Sequence, residues 1–142
     1  MHADTDLRDL AVETRLPTRT WTAGFEVWNR FAAVNDEFVP IHMDDEAGRG
    51  AGYDGAFGMG YLQWSWIHDV LRDFIGDRGR IDRVQGNFRA PSLKGVEVTA
   101  GGEVSGVSTV DGRLMVDVTV WTRTADGVEL FPGTATVSFP AG

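Results

Sequence analysis

Among side chains able to move a proton near neutral pH, the chain holds three histidines and no cysteine in 142 residues. One of them, His42, follows two carboxylates closely in Asn35-Asp36-Glu37-Phe38-Val39-Pro40-Ile41-His42. Asp36 and Glu37 lie six and five residues before it, and Pro40 stands between. A bend there could fold acid and imidazole together, and such a pair can orient and deprotonate one water molecule. The same spacing also fits carboxylates that cap or solvate a turn, with His42 packed against a sheet. The other two histidines have plainer settings. His2 is next to the N-terminus, and His68 falls on the polar face of a helix, where solvation or a partner contact accounts for it.

A second element is a run rich in glycine. Gly48, Gly50, Gly52, Gly55, Gly58 and Gly60 bring the chain from the His42 segment into an apolar stretch, and the whole chain holds 18 glycines. Glycines leave backbone N–H groups unscreened, and a helix start can hold a carbonyl oxygen as it gains negative charge. The same glycines also permit close packing of helix on sheet.

These residues need elements to position them. Met59, Leu62, Trp66, Val70 and Phe74 recur at spacings of three and four, which predicts a helix from about Met59 to Phe74. Gly76 suits its C-cap. A shorter helix is expected over Ala23 to Val34, with another turn or two from Asp44-Asp45-Glu46. From Arg80 the period becomes two. Val96 and Val98; Leu114, Val116, Val118 and Val120; and Ala135, Val137 and Phe139 alternate with polar neighbours. Asp111-Gly112 and Ala125-Asp126-Gly127 read as hairpin turns. Arg80 to Arg89 is a fourth strand, and Thr18 to Thr22 is a candidate fifth. The fold class is therefore α+β, one long helix beside a curled antiparallel sheet.

Composition removes several alternatives. Lys+Arg 13 against Asp+Glu 21 gives a net charge of −8, which opposes a nucleic-acid binder built on a basic stripe. Without cysteine there is no disulfide, zinc–thiolate site or Cys nucleophile. The first sixteen residues carry both signs of charge and no apolar run, so no secretory signal is visible. No apolar stretch approaches the roughly 20 residues of a membrane span. The expectation is a cytoplasmic protein, one domain over residues 1–142, with residues 1–16 extended or frayed. No metal site is expected.

The segment Phe31-Ala-Ala-Val-Asn-Asp-Glu-Phe-Val-Pro-Ile-His42 resembles the hydratase motif of MaoC-like, hotdog-fold (R)-specific enoyl-CoA hydratases and acyl dehydratases. Phe57-Gly58-Met59 is similar to that family's His-Gly-Met at the start of the central helix. Gly86-Asn-Phe-Arg-Ala-Pro, Val96-Glu-Val-Thr-Ala-Gly-Gly-Glu-Val and Phe131-Pro-Gly-Thr-Ala-Thr-Val resemble its closing strands, so the likeness runs from about residue 19 to 140. It implies a hotdog fold, a long central helix wrapped by a curved antiparallel sheet and usually paired. It implies reversible hydration of a trans-2-enoyl thioester carried by CoA or an acyl carrier protein. By position His42 matches the catalytic histidine, Glu37 the aspartate, and the Gly58 N–H the donor to the thioester carbonyl. Phe57, Met59 and Pro40 fall beside them as substrate-binding positions.

Four departures stand out. Glu37 is one methylene longer than the family's Asp, Asp36 replaces a Gly, and Val39 and Phe57 replace Asn and His. The working carboxylate is therefore either Glu37 or Asp36. The altered motif also suits a catalytically degenerate subunit pairing with an active hotdog chain, as homodimer or heterodimer, and a hotdog thioesterase is a third reading. No cofactor is expected, because the substrate carries CoA or phosphopantetheine. Arg49, Arg83 and Arg89 are candidate phosphate contacts. Trp64, Trp66 and Trp121 either line a wide acyl pocket or fill the core and the dimer contact.

Overall fold

The computed structural model describes residues 6 to 140, with its helices before Gly76 and four of its five strands after Gly79. The first half holds β1 (Arg19–Thr22), α1 (Phe25–Asn35), a 3₁₀ turn at Pro40–His42, α2 (Asp45–Gly50) and α3 (Gly60–Ile75). The second holds β2 (Arg80–Gly86), β3 (Glu97–Val110), β4 (Arg113–Thr124) and β5 (Glu129–Pro140). All five strands join one antiparallel sheet in the order β1-β3-β4-β5-β2. Register shifts at Ile81/Arg83, Val104/Gly106 and Thr122/Arg123 interrupt the ladders, and such irregularities raise local twist. The sheet curls around α3.

Alternation decides which face meets the helix. On β4 the side chains of Val116, Val118, Val120 and Thr122 are buried, while Asp117 and Thr119 between them are exposed. α3 turns Leu62, Trp66, Ile67, Val70, Leu71 and Phe74 against that face. Burying each such side chain contributes roughly 1.5–3 kcal/mol, which ties α3 to the sheet. Trp66 stacks on Trp21 of β1 at 4.9 Å, closing one end of this layer. Of the three tryptophans in question, Trp66 is therefore core. Trp64 is half-buried against Phe131, and Trp121 lies half-buried under Arg123.

Two boundaries differ from the reading of periodicity. β2 ends at Gly86 rather than Arg89, although the chain stays beside β5, with Asn87 N–H donating to the Pro132 carbonyl at 3.1 Å and Arg89 N–H to the Leu130 carbonyl at 2.9 Å. Of the N-terminal segment expected to be extended or frayed, the described part lies against the sheet. Leu10 and Leu16 are buried, and Leu16 N–H donates to the Gly102 carbonyl at 2.9 Å, fastening the segment to β3. His2 lies outside the described residues. No helix among the described residues is long and apolar enough to cross a membrane.

Candidate active site

The His42 segment is shaped by two local devices. α1 stops at Asp36, which adopts the left-handed conformation (φ 53°) and donates its N–H to the Ala32 carbonyl. Asp tolerates that conformation better than most residues, which gives Asp36 a structural role as a helix cap. Its side chain is exposed. Pro40 then opens the 3₁₀ turn, where a fixed φ and a missing N–H cost nothing, and its carbonyl accepts from Met43 and Asp44 N–H at 2.9 Å. That turn buries the next side chain but one, His42, to 7% exposure.

His42 Nδ1 is 2.7 Å from the Phe57 carbonyl oxygen. A carbonyl only accepts, so Nδ1 carries a proton, and in the neutral ring Nε2 then presents the lone pair. Nε2 faces Glu37 Oε1 at 3.8 Å. That distance exceeds a direct hydrogen bond, which runs about 2.7–3.2 Å. The choice between the two carboxylates is thereby narrowed: Glu37 faces His42, and Asp36 ends the helix.

Phe57 holds the imidazole twice, through its carbonyl and through its ring, which meets His42 edge-on at 5.5 Å and carries Tyr53 on its other side at 4.5 Å. A cavity of about 210 Å³ opens against this group, lined by His42, Tyr53, Phe57, Gly58, Gly60 and Gln63 on one wall. Phe88, Arg89, Ala90 and Pro91 form the other.

The Gly58 N–H does not serve as the expected donor. It is committed to the Ser92 carbonyl at 2.8 Å, because residues 57 and 93 pair as a short antiparallel bridge. The first residue of α3, Gly60, lines the cavity instead, and a first-turn N–H has no intrahelical acceptor. Met59 also differs from expectation, since it is fully buried in the core. Pro40 shapes the turn from an exposed position outside the cavity lining.

Two residues of the site were missed by sequence reasoning. Gln63 is fully buried, donates Nε2–H to the Ala90 carbonyl at 3.0 Å, and accepts from Thr122 Oγ1 at 2.6 Å. Its position four after Met59 and three before Trp66, a polar residue on a buried stripe, was the available signal. Asp45 accepts from Ala56 N–H at 3.0 Å and pairs with Lys94 Nζ at 2.7 Å, pinning the approach to Phe57. The Lys94 hydrogen bond, then the Ala56 N–H, hold its carboxyl below the usual value. Of the arginines, Arg89 reaches the cavity. Arg83 turns to Gln85 on its own strand, and Arg49 bonds the Asp54 carbonyl. His68 donates Nδ1–H to the Trp64 carbonyl one turn back. No group of three metal ligands occurs among the described residues.

No family model matches the chain, and no curated protein matches it. Solved structures do. An (R)-hydratase from A. caviae involved in PHA biosynthesis superposes with a TM-score of 0.84 at 23% identity, covering 94% of this chain and 99% of that one. A MaoC-like dehydratase from Rhodospirillum rubrum gives 0.80 at 21% identity, covering 96% and 97%. A truncated HadBC (3R-hydroxyacyl-ACP dehydratase) complex from Mycobacterium tuberculosis gives 0.75 at 18%, covering 96% and 99%. At these identities the likeness shows the fold: the chain is a hotdog domain.

Proposed function

We propose that the chain is a hydratase or dehydratase that adds water reversibly to a trans-2-enoyl thioester of CoA or acyl carrier protein, giving the 3-hydroxyacyl thioester. One observation carries the reading. A histidine whose Nδ1–H is held by a carbonyl and a carboxylate present two acceptor atoms 3.8 Å apart, His42 lining one cavity and Glu37 another. A single water donating one O–H to each fits that gap, with its lone pair turned towards the substrate.

The chemistry then balances without another reactant. The water oxygen bonds to C3 as its proton passes to the Glu37–His42 pair. The C2–C3 π electrons move to the thioester carbonyl, whose oxygen is held at the α3 start near Gly60, where N–H groups and helix dipole favour negative charge. His42 returns a proton to C2. Water supplies both the hydroxyl and the hydrogen, so the carrier thioester survives, and no resident cofactor is required. Phe57 and Gly58 contribute by holding the imidazole and the Ser92 segment.

The test is spectrophotometric hydration of enoyl-CoAs with short, long and ring-bearing acyl groups, repeated with His42→Ala and Glu37→Gln. Removing a general acid–base group should lower kcat/KM by about 10²–10⁴. Unchanged turnover in His42→Ala, with circular dichroism like the parent, would falsify the reading. Release of free CoA would mark a thioesterase instead.

A second reading rests on its own observation. Val34, Phe38 and Tyr61 flank Glu37 and are 83%, 62% and 62% exposed. So much apolar surface beside the site suits a second hotdog chain packed over it, identical or different. Activity confined to a mixture with another hotdog chain would identify this protein as a partner subunit.

A further inference from the structure

Three consecutive N–H groups fix the direction of the Phe57 carbonyl that His42 bonds. Phe57 N–H donates to the Ile41 carbonyl at 3.1 Å, and Gly58 N–H to the Ser92 carbonyl at 2.8 Å. Ala56 N–H donates to Asp45 Oδ1 at 3.0 Å. The first two are backbone pairs. The third ends on a side chain that is itself held from outside the cavity, because Lys94 Nζ reaches Asp45 Oδ1 at 2.7 Å and Oδ2 at 2.8 Å.

The surroundings are shaped to this pair. A Cβ at Gly55 would stand 2.7 Å from Asp45 Oδ1, and one at Gly48 would overlap the Gly55 carbonyl, so glycine at both positions lets the carboxylate lie against Ala56. The Lys94 ammonium also stands 4.5 Å from the centroid of the Phe25 ring, within cation–π range. Gly95 N–H donates to the Ala23 carbonyl at 2.9 Å, which ties the lysine's own segment to the start of α1. The Lys94 and Asp45 side chains are 41% and 33% exposed, so removing the charge leaves no buried hole.

The ring that depends on this carbonyl is contested. A neutral imidazole carries one N–H, and the hydrogen bonds at its two nitrogens decide which. The Phe57 carbonyl at Nδ1 favours Nδ1–H, whereas the Glu37 carboxylate, facing Nε2 at 3.8 Å, favours Nε2–H. A charged acceptor attracts a proton more strongly than a neutral one, so the carbonyl prevails only while it is firmly aimed. An Nε2–H ring would have no lone pair on the side where Glu37 stands.

We propose that Lys94 is a positioning residue for His42: through Asp45 and the Ala56 N–H it holds the Phe57 carbonyl on Nδ1, and so keeps the Nε2 lone pair against the pull of Glu37. The consequence for turnover rests on the hydration reading, whereas the tautomer does not.

Long-range ¹H–¹⁵N spectra of labelled protein, at a pH where the ring is neutral, distinguish the two tautomers by their nitrogen shifts. The His42 signals are those missing from His42→Ala, and His68, bonded through Nδ1 to the Trp64 carbonyl, is an internal reference. His42 of the parent should be Nδ1–H. Lys94→Met keeps the stem and drops the charge, and the Nδ1–H share should fall at least about twofold, with kcat for enoyl-CoA falling in proportion and KM unchanged. Asp45→Asn keeps an oxygen for Ala56 N–H and should lose less. Lys94→Arg retains the charge and should hold the parental share. Arg30→Met, which breaks an exposed pair with Glu26 on α1, should change nothing. A His42 that stays Nδ1–H in both Lys94→Met and Asp45→Asn overturns the proposal, and so do equal losses in Lys94→Arg and Lys94→Met. A shifted tautomer in a protein that hydrates no enoyl-CoA refutes the enzyme reading and keeps the latch, whereas hydration with an unmoved tautomer does the reverse.

Discussion

Gly58 offers the sharpest test of how the site is held. A Cβ built there would stand 2.2 Å from Ser92 Oγ and 2.9 Å from Trp28 Nε1, with no open direction between. Trp28 is fully buried, and its Nε1 and Ser92 Oγ have no hydrogen-bond partner among the described residues. The φ of Gly58 lies outside the left-handed range, so Ala fits the backbone and gains about 0.4–1 kcal/mol through the unfolded chain. Overpacking a filled interior costs about 1–3 kcal/mol, so Gly58→Ala should lose about 1–2 kcal/mol net. Ser92→Ala removes an unpaired buried hydroxyl and should be neutral or stabilising by about 1 kcal/mol. The double variant should recover at least about 1 kcal/mol beyond the sum, because the nearest obstacle is gone. Urea unfolding followed by tryptophan fluorescence measures all three. Because Phe57 precedes Gly58 and holds His42, Gly58→Ala should also lower enoyl-CoA turnover more than Ser92→Ala does. If Gly58→Ala is as stable as the parent, or if Ser92→Ala costs more than about 1 kcal/mol, the packing argument is wrong.

Two further outcomes follow from the polar groups around the cavity. Gln63→Leu leaves the Ala90 carbonyl and the Thr122 hydroxyl without their buried partner, and at about 1–3 kcal/mol each the loss should be roughly 2–6 kcal/mol in urea unfolding. A loss under 1 kcal/mol would mean that these groups find other partners. Asp45 titrates below its ordinary value when folded, so its pairing contributes stability above about pH 4 and loses it as pH falls through the folded value. Asp45→Asn should therefore melt below the parent at pH 7, with the gap constant down to about pH 5 and closing in stronger acid. A gap that widens toward acid contradicts this.

How much of this was legible in the residues alone depends on the kind of information each feature needs. The long helix and the four main strands were, because Met59, Leu62, Trp66 and Phe74 keep one helical stripe while Val116, Val118 and Val120 keep one strand face. The N-terminal segment was not. Leu10 and Leu16 are buried by a strand some ninety residues onward, and no local period marks such a contact. Gln63 was hidden for a similar reason: its partners, Ala90 and Thr122, are 27 and 59 residues away. The Gly58 N–H was misread because spacing shows that a backbone donor is unscreened by a side chain, and cannot show that Ser92 across the bridge already takes it.

The adjacent acids Asp36 and Glu37 show where spacing stops and conformation begins. Both stand within one residue of the position that the motif requires, and side-chain type favours Asp36, the shorter acid. Backbone geometry reverses that preference. Ending α1 requires a left-handed residue, and Asp is suited to it, so the aspartate is drawn into the cap and its carboxylate is left in solvent. The next residue starts the chain back towards His42 and needs a longer side chain to reach Nε2. Glu at 37 supplies that reach and stops at 3.8 Å, leaving room for one water rather than closing a direct ion pair. Asp36 and the length of Glu37 thus belong to one arrangement: the aspartate ends the helix in the left-handed conformation, and a side chain shortened by a methylene at position 37 would fall further from the imidazole.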